Sequence, residues 1–423
     1  MTDRTFDVVV VGAGATGLAA ALAFAREGFS TALVGEARAA RDGRTVALLD
    51  GSVSFLEALG VWDAIVPDAA PLETMRLVDA TDNLFRAPTV DFKAREIDLD
   101  AFGWNVENAT LVERLAEAVG EVPGLAHFPV ACDGLGGVQE VLAPGEDAAE
   151  GGDVGEPMAR RAVRLADGSV LPASLVVAAD GRGSRLREDA GIRTRTWAYP
   201  QKALTTILAH ERDHRDVSTE FHTRHGPFTL VPLPGRRSSL VWVTAPEKAE
   251  ALAALDDDAL ARAVERQARS LLGAMRVDGP RGVVPMTGMS VPRYTADRLA
   301  LVGETAHVFP PIGAQGLNLG LRDVASLRDA VVARGAEDPG ARAALAAYER
   351  SRALDVRTRT MGVDMLNRTL LAGMLPADFL RGAGLHALAA VGPLRRLLMR
   401  EGVTPTIGTP RLMRRREPRA VAF

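Results

Sequence analysis

FDVVVVGAGATGLAAALAFAREGFSTALVGE, residues 6 to 36, changes character three times within one short stretch. FDVVVV is a β-branched apolar run of strand length, LAAALAFAREG has helix-forming composition, and FSTALVGE returns to a strand pattern. Between the first two stands GAGATG, which places Gly12, Gly14 and Gly17 in the GxGxxG spacing. The first glycine permits the tight turn, the second lets bare backbone approach a pyrophosphate, and the third lets helix and strand pack closely. Ala15 and Thr16 then open the helix, whose N-terminus favours negative charge. Glu36 follows Gly17 by 19 residues, at the end of the second strand, where a carboxylate can accept from a ribose hydroxyl. A strand, this turn, a helix and this acid in order point to a βαβ unit holding an adenine dinucleotide. They do not choose between nicotinamide and flavin.

The rest of the composition narrows the class. A chain of 423 residues exceeds one simple core and implies two or three lobes. The formal net charge of -4 gives no long-range attraction to nucleic acid, which is dropped as a partner. The single cysteine, Cys132, allows no internal disulfide and no cysteine-built metal centre, and no other residues show a metal spacing. The opening MTDRTFDVVVVGAG lacks the basic and long apolar regions of an export signal, and no apolar run approaches the roughly 20 residues needed to span a bilayer. The expected location is cytoplasmic.

Two further runs, ASLVVAADG near 174 to 181 and RLALVGE near 298 to 304, have the continuous apolar character of central parallel strands and should share the sheet of the first βαβ unit. TTILAHERD near 205 to 213 and SSLVWVTAP near 238 to 246 alternate, as antiparallel strands of a second lobe do. PGEDAAEGGDVGEP, 144 to 157, reads as a solvated hairpin loop or insertion, and the pattern after 320 is helical. The fold class is therefore α/β: a Rossmann-like dinucleotide-binding domain with an inserted antiparallel-sheet substrate domain and a C-terminal helical region. The boundaries are 1–75, 100–190 and 285–345 for the first, 76–99 and 191–284 for the second, and 346–423 for the third.

Flavin is chosen by GETAHVFPPIGAQGLNLGLRD, 303 to 323. A strand ends at Gly303, Glu304 can reach a sugar or ribityl hydroxyl, and Gly313 to Gly320 offer bare amides leading into a helix. A reduced isoalloxazine carries negative charge at its pyrimidine edge, which the N–H groups of a helix start stabilise. With this stretch, GAGATG and Glu36, GRTVALLDGSVSFLEALGVW (43 to 62), VENATLVERLAEAV (106 to 119) and AADGRGSRLRE (178 to 188), the chain resembles the class A flavoprotein monooxygenases nearly end to end. Within them it resembles the ubiquinone-biosynthesis aromatic hydroxylases.

That resemblance implies bound FAD, reduced by NAD(P)H, which takes up O2 as a C4a-hydroperoxide and hydroxylates an electron-rich phenol. It implies that the 303 to 320 segment cradles flavin ring and ribityl chain, with Gly303, Glu304, Pro311, Gly313 and backbone contacts from Gly316, Leu317 and Asn318. Arg44 and Asn108 would touch the ribityl and pyrophosphate region, and Asp180 would support FAD and help admit the nicotinamide nucleotide. Many members carry Asp where this chain has Glu304, and the same hydroxyl contact is expected. Catalysis is flavin-borne, so no side chain is assigned as catalyst, and His307 and Pro310 are candidates only for positioning. Phe228 and Pro232, in FHTRHGPFTLVPLPG (221 to 235), are the candidates for an apolar substrate wall. Arg322 and Asp323 read as favourable charges near a helix start.

A polyprenylated phenol would reside in membrane. The apolar C-terminal stretch 370 to 402, with Arg395, Arg396, Arg400 and the arginines at 414 to 416, is then a candidate peripheral contact with the inner membrane face, or equally a packed helical lobe or an oligomer contact, and a biosynthetic complex is the other expected partner. Rival readings stay open: a class A hydroxylase of another small aromatic, or a non-catalytic FAD-binding component of a complex. The scattered Trp62, Trp104, Trp197 and Trp242 argue against a halogenase.

Overall fold

The computed structural model describes residues 4–81, 88–142, 157–310, 315–353, 355, 392–403 and 408–415. Strand Phe6–Val11 has only buried or half-buried side chains because both faces of its sheet are covered. It pairs in parallel with Thr31–Val34 on one side and Val170–Ala178 on the other, and Val170–Ala178 pairs in parallel with Leu299–Leu301. The three apolar runs read from sequence as strands of one sheet are thus adjacent in it. Ala126–Phe128 extends the sheet beyond Thr31–Val34, and a short antiparallel strand, Thr295–Ala296, closes the other edge. Helix Ala15–Ala25 covers this sheet with an almost wholly buried surface, which explains its lack of a polar stripe.

The strands flanking the 144–157 insertion, Cys132–Leu142 and Pro157–Leu165, pair antiparallel. The connection between them, 143–156, lies outside the described residues, as do 356–391 and with them most of the apolar C-terminal stretch.

A nine-stranded sheet carries the second lobe, in the order His307–Val308, Gly282–Ser290, Arg195–His210, Arg237–Thr244, Gly226–Leu233, Val217–Thr223, Thr74–Asp79 and Val90–Lys93, with Met275–Val277 beside Arg195–His210. One face packs beneath helices Pro246–Ala253 and Asp257–Gln267, joining Leu204, Leu208, Phe228, Leu240 and Trp242 to Leu252, Leu260 and Val264. The other face carries Ala203, Val241, Val243 and Met286. The same face meets a three-stranded sheet made of Thr45–Leu49, Gly103–Glu107 and Ala69–Pro71, through Thr45 Oγ1, which donates to Ser239 Oγ at 2.8 Å. His307–Val308 pairs with Met289 and Ser290, so the segment that began the flavin argument is itself the edge strand of the second lobe.

Candidate functional site

The site begins at the carboxyl ends of the parallel strands. Gly12 has φ +107°, a conformation only glycine adopts without strain, and an added Cβ would lie 2.2 Å from the Ala179 carbonyl oxygen. A Cβ on Gly17 would lie 1.7 Å from the Gly12 carbonyl oxygen. Packing alone thus accounts for these two glycines. Gly14 differs: it is the N-cap of helix Ala15–Ala25, it makes no side-chain cap, and a Cβ there would meet nothing within 4 Å. The space above this helix start is left clear, and the first turn carries no acidic residue.

Helix Gln315–Arg334 begins nearby in the same manner. Its first turn has no acid, and a Cβ on Gly316 would meet nothing within 4 Å. Thr16 joins the two starts. A Cβ on Gly320 would lie 2.8 Å from Thr16 Oγ1, and one on Gly303, at φ +62°, 3.1 Å from the same side chain. Two helix N-termini, the βαβ turn and the end of strand Leu299–Leu301 therefore converge where the small residues of both motifs interlock. Such an assembly of N–H groups and aligned dipoles suits a ligand carrying several negative charges.

Asp180 stands beside it. Its Oδ1 accepts from Thr305 Oγ1 at 3.3 Å, and Thr305 Oγ1 in turn accepts from the Gly181 N–H at 3.1 Å. Arg187, 3 % exposed, fastens the same two turns by donating to the carbonyls of Thr305 (3.0 Å) and Arg182 (2.9 Å). Glu304 is exposed and lies 3.4 Å from Arg182 across the turn. In the sequence Arg187 is one arginine among several after Asp180, and nothing singles out Thr305. The bond between them links residues more than a hundred positions apart, which no local pattern shows.

The remaining assigned residues frame the rim. Glu36 is exposed just after strand Thr31–Val34. Arg44 and Asn108 are brought together, the Asn108 N–H donating to the Arg44 carbonyl at 3.0 Å, while the Arg44 guanidinium turns to Asp42 at 2.7 Å. Asn318 stitches the cradle helix to the three-stranded sheet, giving its amide N–H to the Ala47 carbonyl and accepting the Leu49 N–H, both at 2.8 Å. Leu317 lies half-buried in the first turn of the same helix, and Pro310 is buried. Pro311 and Gly313 lie outside the described residues.

Asp323 overturns its reading as a helix-start charge. It is the ninth residue of helix Gln315–Arg334 and wholly buried, and three donors converge on it. The Gly303 N–H (2.9 Å) and His307 Nε2 (2.7 Å) reach Oδ2, and Arg352 Nε (2.7 Å) reaches Oδ1. Burial pushes its carboxyl up, but His307, Arg352 and the hydrogen bonds outweigh this and hold it below the usual carboxylate range. Arg352 is itself buried and pairs with Asp355 at 2.5 Å, which also lies 2.9 Å from Arg322. The carboxylate therefore fixes the end of strand Leu299–Leu301, the cradle helix and the helical residues 342–353 to one another.

In the second lobe the structure places Phe228 away from the site. Its side chain is 0 % exposed, edge-on to Trp242 at 5.1 Å and to Phe221 at 5.6 Å, in the core beneath the two helices. Successive strand residues face opposite ways, and the sequence does not reveal which parity faces the cradle. Phe228 is a packing residue. Pro232 is buried, and its carbonyl accepts from Asn105 Nδ2 at 2.8 Å. His210 and His214 are likewise consumed in packing, with His210 bonded to the Arg212 carbonyl and to Ser238. No metal-binding group of side chains occurs among the described residues.

Comparison with known proteins agrees with this geometry. The FAD binding domain family model matches residues 5–120 and 151–361. Ubiquinone hydroxylase UbiL of Rhodospirillum rubrum is 36% identical, over 97% of this chain and 93% of that protein. The 3-demethoxyubiquinol 3-hydroxylase of Escherichia coli is 30% identical, over 94% and 98%. Among solved structures, p-nitrophenol 4-monooxygenase PnpA of Pseudomonas putida shares the fold with a TM-score of 0.73 at 18% identity, over 93% of this chain and 96% of that one. With its two interlocked glycine motifs and these relatives, the chain belongs to the FAD-binding-domain family, among the ubiquinone-biosynthesis aromatic hydroxylases.

Proposed function

We propose that this enzyme hydroxylates the aromatic ring of a polyprenylated phenol or quinone precursor in ubiquinone biosynthesis, with FAD, NAD(P)H and O2. The observation that carries the reading is the meeting of two acid-free helix starts at Thr16, Gly303 and Gly320. Gly12, Gly14, Ala15, Thr16 and Gly17 would hold the pyrophosphate, and Glu36 a ribose hydroxyl. Arg44, Asn108, Asp180, Gly303 and Glu304 would line the rest of the nucleotide and ribityl chain, and Gly316, Leu317 and Asn318 the pyrimidine edge. When bound, FAD would supply the redox and oxygen-activating chemistry of the hydroxylation.

The chain's own part is to orient the ring system, to keep water out and to stabilise negative charge with fixed dipoles. The sheet face bearing Ala203, Val241, Val243 and Met286 supports an apolar cover, because it is the face turned towards Thr45. The boundaries 1–75, 100–190 and 285–345, 76–99 and 191–284, and 346–423 remain our division of the chain. Substrate-stimulated NAD(P)H oxidation, with one oxygen atom from labelled O2 in the product, is the expected result. Tight flavin binding without such turnover would favour a non-catalytic component instead.

A membrane-resident substrate calls for contact with the bilayer. No described helix is long and apolar enough to cross one. Helix Gly392–Val403 exposes Arg396 and Leu397, the latter 58% exposed, which supports a peripheral contact. Arg395, Arg400 and Arg415 are paired with Glu96, Asp98 and Asp50, so their charges are partly compensated, although Arg400 and Arg415 stay exposed. Co-sedimentation with anionic liposomes is expected, and its absence would remove the membrane contact from the proposal.

A further inference from the structure

His307 leaves one chemical question that the Asp323 cluster does not answer. The ring is 2 % exposed, its Nε2 is 2.7 Å from Asp323 Oδ2, and it packs against Phe309 with ring centres 5.4 Å apart. Asp323 is ionised and accepts only, so Nε2 carries the hydrogen and donates. Nδ1 is buried and has no hydrogen-bond partner among the described residues. Burying a polar atom without a partner is costly, and few native groups are left so. An imidazole whose single hydrogen sits on Nε2 has a lone pair on Nδ1, which can accept.

We infer that His307 Nδ1 receives its missing hydrogen bond when FAD enters the cradle, which makes His307 a positioning residue for the flavin rather than a core histidine. The inference rests on the FAD reading above. Asp323 aims the ring, and the ring's second nitrogen, within the Gly303–Pro310 segment, is the acceptor kept for the loaded state. The hydrogen bond made by one imidazole nitrogen sets the role of the other in this way.

The test uses the full chain and FAD itself. His307→Gln keeps an N–H for Asp323 and lacks an acceptor at the Nδ1 position, whereas His307→Phe lacks both. Flavin fluorescence titration is expected to show FAD binding weakened about tenfold in His307→Gln, with the thermal midpoint of the FAD-free protein unchanged. The protein has seven histidines, so imidazole nitrogen NMR of the unaltered chain can follow Nδ1 directly. Its resonance is expected in the lone-pair range without FAD and shifted toward the hydrogen-bonded range with FAD. A resonance that does not move on loading, or one already hydrogen-bonded without FAD, overturns the inference, whether or not the Gln variant folds. Undiminished FAD affinity in a folded His307→Gln does the same. Failure of the unaltered chain to bind FAD at all would instead sink the functional reading.

Discussion

Glycines at the site divide into two kinds, and substitution separates them. Gly12→Ala and Gly17→Ala drive a Cβ into backbone and should destabilise the fold itself. Gly316→Ala has open space and replaces a helical glycine, so it should raise stability by about 0.5–1 kcal/mol while weakening FAD binding. Thermal melts with and without FAD measure both effects. Asp323→Asn removes one of the two carboxylates paired with the buried Arg352, Asp355 remaining, and should cost about 1.5–3 kcal/mol at neutral pH. Because the folded carboxyl titrates below its ordinary value of about 3.9, its contribution is present above that pH and is lost as pH falls through the lower folded value. The gap between wild type and Asn variant should therefore narrow below about pH 4, as denaturant midpoints against pH would show. The glycines were legible in sequence because a bare backbone is a local demand. Asp323 was not, because its partners Gly303, His307 and Arg352 come from tertiary packing.

Elements show the same division. The βαβ unit and its two companion strands were readable because buried parallel strands are continuous apolar runs. The face of strand Gly226–Leu233 was not, since alternation fixes two faces without naming them, and Phe228 went to the helix-covered side. The three-stranded sheet was missed because its strands are short and separated in sequence by two helices and by two strands of the larger sheet. Asn318 joins that sheet to the cradle helix, so Asn318→Ala strands the Ala47 carbonyl and the Leu49 N–H. A loss of about 1–3 kcal/mol is expected, with faster hydrogen exchange at Leu49 as the specific check.

Across the whole molecule, the cradle lies where the two large sheets meet, because His307–Val308 belongs to the second lobe while Gly303 closely follows a strand of the first. The C-terminal residues add a brace: Met413 is buried beside helix Asp50–Ala58, and Met399 packs with Ile97, Leu99 and Phe102. Met413→Ala should cost about 2 kcal/mol or more, read as a lower unfolding midpoint. The account's central claim is that the interlocked helix starts hold a flavin. Titrating purified, flavin-stripped protein with FAD tests it most directly: saturable binding with one FAD per chain and a resolved yellow spectrum is expected, and a protein that stays colourless and cannot be reconstituted would contradict it.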